Sequence, residues 1–479
     1  MIVVKKTIIL KIFLVLFIAF FLNTEIIASG ITNIAQTDTT VVEGSHALTE
    51  HQLPTPYMVI PFILLLLAIA TGPLFYRHFW EKHYPKIAII LGLITATYYI
   101  AFLGDTHSLL HTMAEYISFI ALLASLFVAS GGILIRVDKK ATPMLNVLFL
   151  LFGAVIANII GTTGASMLLI RPFIKINKDR IKPYHIIFFI FLVSNIGGAL
   201  TPIGDPPLFL GFLRGVPFFW VIQHVWYIWL PTIFLVLIIY YFIDKMNKEG
   251  QNSEVEYSGK FEFKGLKNLV YLLIIILSVF LDPGVLSWVP SLKPMPFGIR
   301  ELIMFAVVYV SYQRSVKEIL KANEFDFEPI KEVAYLFIGI FATMVPALQL
   351  IAHEANVFAD KLNPGIFYWT TGFLSAFLDN APTYLNFLSA AMGKYALDIT
   401  YQPQVREFVK IGAENLQSIS VAAVFFGALT YIGNGPNFMV KSISERSGIQ
   451  MPSFFAYVIK YSLIILVPVY AVIWLIFFY

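Results

Sequence analysis

The sequence predicts an all-α polytopic membrane protein made of two inverted repeats, each with a re-entrant hairpin and an interrupted transmembrane helix. Three observations predict it. Of 479 residues, 58% are hydrophobic and 13% charged, against about 25% charged in an ordinary soluble domain. A nine-residue motif occurs twice: Ala199-Leu-Thr-Pro-Ile-Gly-Asp-Pro-Pro207 returns as Ala428-Leu-Thr-Tyr-Ile-Gly-Asn-Gly-Pro436, with six identities, 229 residues further on. Both copies set glycine, proline and polar side chains inside apolar runs, where a helix must open because proline removes donors and glycine permits unusual dihedrals. Opened backbone at membrane depth is tolerated only where it is buried in protein or lines a polar cavity.

Taken in order, Met1 to Gly30 carries Lys5, Lys6 and Lys11, an apolar core and Ala28-Ser-Gly30, so 1–30 reads as a signal peptide or a first transmembrane helix. Residues 31–56 read as an external polar loop, with Asp38, Glu43 and Glu50 and no Lys or Arg. The first repeat occupies 57–243. Its first apolar segments fall near 57–75, 87–104 and 115–135, and Lys82, Lys86, Arg136, Lys139 and Lys140 make the connections alternate inside, outside, inside. Residues 143–170 form one apolar run broken at Asn158-Ile-Ile-Gly161-Thr162-Thr163-Gly164, with basic residues at both ends. A span cannot begin and end on the same side, so this run predicts a hairpin with its tip at 158–166.

An interrupted span at 184–213 and an apolar span at 217–242 complete this half. The linker 244–268 holds five lysines and reads as cytoplasmic. The second repeat, 269–479, has the same plan. Spans fall near 269–281, 298–313 and 333–351, and a hairpin at 364–392 is broken at Asp379-Asn380-Ala-Pro382-Thr383. An interrupted span at 418–440 and a last span at 453–479 follow. Five spans per half is odd, so the halves run in opposite directions, as in many secondary transporters.

The breaks carry the chemistry. A sodium ion is hard and takes oxygen ligands. The first half offers Asn158, Thr162, Thr163, Thr201 and Asp205; the second offers Asp379, Asn380, Thr383, Thr430, Asn434 and Asn437. Intramembrane acids are functional by default because an ionised carboxylate is costly at that depth, which singles out Asp205 and Asp379. The alternative for Asp205 is an N-cap ahead of Pro206-Pro207, and for Thr201 and Thr430 a hydroxyl bonded to its own helix. Asp105, Glu115, His353 and Glu354 read as solvated groups at external helix ends. Arg171 reads as an interfacial anchor, and His185 and His224 carry no metal-ligand spacing. Zero cysteines exclude disulfides, thiolate metal sites and cysteine catalysis. No basic run dense enough for nucleic acid occurs, and no Gly-x₄-Gly-Lys-Ser/Thr loop for ATP.

Asn158-Ile-Ile-Gly-Thr-Thr-Gly-Ala-Ser-Met-Leu-Leu-Ile-Arg-Pro172 and Ser194-Asn-Ile-Gly-Gly-Ala-Leu-Thr-Pro-Ile-Gly-Asp-Pro-Pro207 resemble the ion-transporter superfamily. It includes NhaD-type sodium/proton antiporters, arsenite pumps and citrate or dicarboxylate carriers. The resemblance covers roughly residues 57–479 and is nearest to bacterial proteins labelled NhaD-like antiporter or citrate carrier. It implies hairpin tips and helix breaks meeting at the site, a mobile transport domain against a scaffold, a homodimer, and eleven spans with the N-terminus inside. It also implies a bacterial-type inner membrane. Carboxylate carriers of the superfamily hold substrate with Ser-Asn-Thr at the tips; Gly161-Thr-Thr-Gly164 and Asp379-Asn-Ala-Pro-Thr383 depart from that.

The sequence thus predicts a secondary active transporter and not an enzyme. Its partners are the lipid bilayer and small inorganic ions or a carboxylate, with no nucleic acid. The first reading is a Na⁺/H⁺ antiporter, with Na⁺ and H⁺ as transported or coupling ions and no cofactor. The alternative is an ion-coupled citrate carrier. A distant alternative is an intramembrane aspartyl protease using Asp205 and Asp379, which resembles a Tyr-Asp plus Gly-x-Gly-Asp pattern on continuous helices; here both acids sit in breaks.

Overall fold

Without water to bond backbone groups, apolar runs satisfy them internally as helices, and helices make up most of the structure. The computed structural model describes residues 53–479 apart from 138, 248, 250–258, 260, 284, 293, 294 and 296. The readings for residues 1–30 and for 31–52 lie outside the described residues. Among the described residues, eight helical stretches are long and apolar enough to cross a membrane, and the chain is an integral membrane protein.

Among the described residues, three helices come first: α1 (Ile60–Phe75), α2 (Arg77–Tyr98) and α3 (Thr106–Gly131). Helix α2 starts ten residues before the expected 87, since Arg77 and Glu81 lie one turn apart on its exposed face and pair at 2.7 Å. Helix α3 starts at 106 instead of 115 because the Asp105 carboxylate accepts from the Ser108 amide at 3.0 Å as its N-cap.

The run 143–176 is one of the eight apolar stretches by length, yet it folds back on itself. Within α4 (Pro143–Ile176), Gly161 has φ 77° and ψ 154°, a region only glycine enters without strain. Asn146 and Asn177 exchange reciprocal amide hydrogen bonds of 2.8 and 2.9 Å, and the rings of Phe149 and Phe173 stack at 5.3 Å. Residues more than twenty apart meet in this way only across a hairpin.

A broken helix follows. It consists of α5 (Pro183–Leu192), a 3₁₀ turn at Ile196–Leu200, a bend, and α6 (Pro206–Arg214). Ile186 through Val193 have no exposed surface, so this helix lies at the centre of the molecule. The long α7 (Trp220–Met246) completes the first half.

The second half repeats the order with α8 (Asn268–Val279), α9 (Ile299–Arg314), a short α10 (Lys317–Ala322) and α11 (Glu328–Val357). A hairpin of α12 (Pro364–Phe377) and α13 (Asn380–Gly393) is closed at its open end by Lys394 Nζ donating to Leu362 O at 2.6 Å. After α14 (Gln402–Ile411) come the broken pair α15 (Ala413–Phe426) and α16 (Gly435–Arg446), then α17 (Phe454–Phe477).

Two further features differ from the expected plan. Residues 134–137 leave the helix as strand β1 (Leu134–Val137) and pair antiparallel with β2 (Phe261–Lys264). The linker is therefore tied to the first half at its far end. Helix α14 lies between the expected hairpin and the expected interrupted span, and Val405, Phe408 and Val409 form one buried stripe on it at helical spacing.

Helices α1, α2, α3, α8, α9 and α11 pack on one another, while the hairpins, broken helices, α7 and α17 form a second group. Helices α3 and α11 bridge the groups by packing on α4 and α13. The broken helix α5–α6 links the hairpins end to end. Its start, at Tyr184 and His185, shares Asp244 with Asn146 at the open end of the first hairpin. Its finish receives the Gln402 amide at Leu213 O, 3.4 Å, beyond the open end of the second.

Candidate functional site

The two breaks adopt the same backbone. Thr201 and Thr430 are extended, at φ −137°, ψ 154° and φ −140°, ψ 167°. Four residues later Asp205 and Asn434 also match, at φ −140°, ψ 144° and φ −155°, ψ 139°. Each threonine hydroxyl donates to a carbonyl of a hairpin: Thr201 to Asn158 O at 2.6 Å, and Thr430 to Ala376 O. Each also accepts from the glycine amide three residues on, at 3.1 Å from Gly204 and 3.0 Å from Gly433. These hydroxyls pin break to hairpin instead of serving their own helix. Gly204 O in turn accepts from the Thr162 amide at 2.8 Å.

Asp205 lies where these pieces meet and is 1% exposed. It occupies the N-cap position of α6, yet its side chain makes no capping bond. Instead its carboxylate accepts from Thr162 Oγ1 at 2.7 Å, Asn380 Nδ2 at 2.6 Å and Asn434 Nδ2 at 3.0 Å. These donors come from the first hairpin tip, the second hairpin tip and the opposite break. Four helix starts surround the group: those of α6, α13, α16 and the second arm of α4. Their partial positive ends favour negative charge. Among the described residues, no Lys, Arg or His bonds this carboxylate. All its donors are neutral, and Asn380 Oδ1 is buried without a partner. Carboxylate, hydroxyl and amide oxygens thus gather at one buried point, the donor set a hard cation takes.

Of the remaining sequence candidates, Asn158 is spent on the break itself. It donates to Gly197 O at 2.6 Å and accepts from the Leu200 amide at 2.8 Å. Asn437 donates to Gly427 O and Thr430 O, and its own Oδ1 accepts from Asn195 Nδ2 at 2.7 Å. Asp379 caps α13 through the Ala381 amide at 3.0 Å, and the Thr383 hydroxyl donates back to Asp379 O at 2.9 Å. Thr163 is half-buried and gives no hydrogen bond to the cluster. Asn195 and Ser194 are the residues that sequence reasoning passed over. Asn434 Nδ2 reaches Asn195 Oδ1 and Ser194 O as well as Asp205, and Ser194 shares a 2.7 Å hydroxyl bond with Ser166.

Buried charges elsewhere are paired. Glu115, expected at a solvated helix end, is 6% exposed and bound by Arg214 at the end of α6, Nε to Oε1 at 2.5 Å. Asp244 has no exposed surface and is held by Arg180, Tyr184, His185 and Asn146. Arg171 pairs with Glu324 at 3.3 Å; His353 is exposed as expected, and Glu354 is half-buried.

Residues 50–478 match a protein family described as "Putative citrate transport". Among curated proteins, none matches the chain.

Proposed function

The chain belongs to that citrate-transport family and is a secondary transporter, and we propose that it exchanges Na⁺ for H⁺ with Asp205 as the site the two ions share. One observation carries this reading. Asp205 is a buried carboxylate met only by neutral donors, from Thr162, Asn380 and Asn434. A buried charge without a charged partner is costly, so this group is best served by a cation or a proton. One site that takes either in turn is an exchanger. In the Na⁺-bound state the carboxylate, the Thr162 hydroxyl and the Asn380 amide oxygen face the ion; in the return state the carboxyl carries the proton. The reading includes inverted repeats entering a bacterial-type inner membrane from opposite faces, with hairpins and broken helices moving against the other group in a homodimer.

A second reading is favoured by the family description and by the four helix starts around the site. In it the chain carries citrate, and the cation at Asp205 screens the anion. The deciding experiment uses everted vesicles with an acid interior. Exchange predicts that added Na⁺ dissipates the ΔpH in the wild type and not in Asp205→Asn. Labelled citrate uptake into proteoliposomes, with no Na⁺-dependent ΔpH signal, would replace exchange by citrate carriage.

A further inference from the structure

Far along the chain from Asp205, a cavity of about 990 Å³ opens where the starts of α12 and α15 face α7 and the end of α17. That volume is in the range of small-molecule sites. Its wall is aromatic. Trp474 stands edge-on between Trp369, at 5.9 Å and 67°, and Tyr479, at 5.4 Å and 90°, and Tyr227 closes another side. Glu414 is the one Asp, Glu, Lys or Arg in the lining. It is exposed, and no ion pair holds it among the described residues. His224 also lines the cavity; its Nδ1 donates to Trp220 O at 2.8 Å, which leaves Nε2 of the neutral ring as an acceptor.

We propose that this cavity binds the ammonium head group of an amphiphile. Ring faces attract a cation electrostatically, a primary or an alkylated ammonium alike. The carboxylate of Glu414 supplies the counter-charge, and an anionic ligand would find no cation in the wall. The adjoining surface is apolar: Ile366 at the cavity and Leu475 and Ile476 beside it are exposed, which suits the alkyl part. A ligand here bridges the first arm of the second hairpin to α7 and α17. The inference stands apart from the transport reading, because no residue of the Asp205 cluster takes part.

The test is thermal unfolding of the full chain in detergent micelles doped with phosphatidylethanolamine, phosphatidylglycerol, or free tetramethylammonium. Phosphatidylethanolamine should raise Tm by about 3 °C or more at saturation, and phosphatidylglycerol should not. Glu414→Gln, at an exposed position, should keep the unliganded Tm and lose the rise; Trp369→Leu should weaken it. An equal, Glu414-dependent rise with tetramethylammonium supports the ammonium site and assigns it to free organic cations as well. An equal rise with phosphatidylglycerol, or a full rise in Glu414→Gln, overturns the proposal.

Discussion

Asn434 donates a 3.0 Å hydrogen bond to Asp205, and the two residues hold the same position in the two copies of the broken-helix motif, 229 residues apart. The repeated loops therefore meet at their own equivalent residues, one charged and one neutral. A single carboxyl group sits at the junction, and the local backbone is alike on both sides. The charge should then be transferable. Asp205→Asn should lower Na⁺-dependent exchange by about 100-fold or more, since losing one partner of a buried charge interaction costs roughly 2–5 kcal/mol. Asn434→Asp alone sets two carboxylates side by side, which repel, and should also impair exchange. The double variant Asp205→Asn/Asn434→Asp restores one charge and should recover part of the rate. A double variant no better than Asp205→Asn would show that the two sides are not equivalent.

Asp379 should behave differently. Its carboxylate accepts from the Ala381 amide, a bond asparagine also makes as an N-cap. Asp379→Asn should therefore keep Tm and most exchange, whereas Asp379→Ala should cost about 1 kcal/mol of stability. Loss of exchange in Asp379→Asn equal to that in Asp205→Asn would place both acids in ion binding.

What the sequence could and could not foretell follows from the range of each interaction. The breaks were legible because glycine and proline act locally, and the repeat marked both copies. The fates of Asp205 and Asp379 were not. Both precede a helix start, but Asp205 is drawn away by Asn380 and Asn434, 175 and 229 residues distant. Asn195 was passed over because it lies outside the repeated nine residues and its partner Asn437 is 242 residues away. Glu115 looked solvated because Arg214, which neutralises it, is 99 residues further along. Thr163 looked equivalent to Thr162, yet successive residues on a helix point about 100° apart, so only one of them reaches Asp205.

The turn of the first hairpin depends on Gly161. With φ 77° and ψ 154°, a Cβ there is strained by roughly 1–3 kcal/mol. It would also approach Ile203 O to 3.2 Å, beside the Gly204 carbonyl that holds Thr162. Gly161→Ala should lower both Tm and exchange, while Gly104→Ala, at φ 65° with open space around it, should spare exchange. Wild-type exchange in Gly161→Ala would mean the tip tolerates a different turn.

Asp244 should matter for folding and not for ion selectivity. It has no exposed surface and ties Arg180 at 2.9 Å and Asn146 at 3.0 Å to the end of α7. Asp244→Ala leaves Arg180 buried without its partner, a loss of about 3–5 kcal/mol. Thermal unfolding should show a large drop in Tm, and the protein that remains folded should keep the wild-type apparent affinity for Na⁺. A changed affinity with unchanged Tm would move Asp244 into the transport path.

The last prediction concerns which face of the membrane each hairpin enters from. Both tips reach Asp205, through Thr162 and Asn380, while their open ends lie at the two ends of the α5–α6 helix. The first open end joins the start of α5 through the Asp244 cluster, and the second lies by the finish of α6 through Gln402. If α5–α6 crosses the bilayer, the hairpins enter from opposite sides. Basic residues Arg171, Lys175, Lys178 and Arg180 flank the first open end, from which the positive-inside rule predicts a cytoplasmic position. The chain has no cysteine, so single cysteines can be read without background. Cysteines at Lys178 and Asp398, near the two open ends, should react with an impermeant maleimide from the cytoplasmic and the external face respectively. Neither position holds the Asp205 cluster, so exchange should persist in both variants and certify the fold. Labelling of both from one face would contradict opposite entry, and with it the inverted repeat.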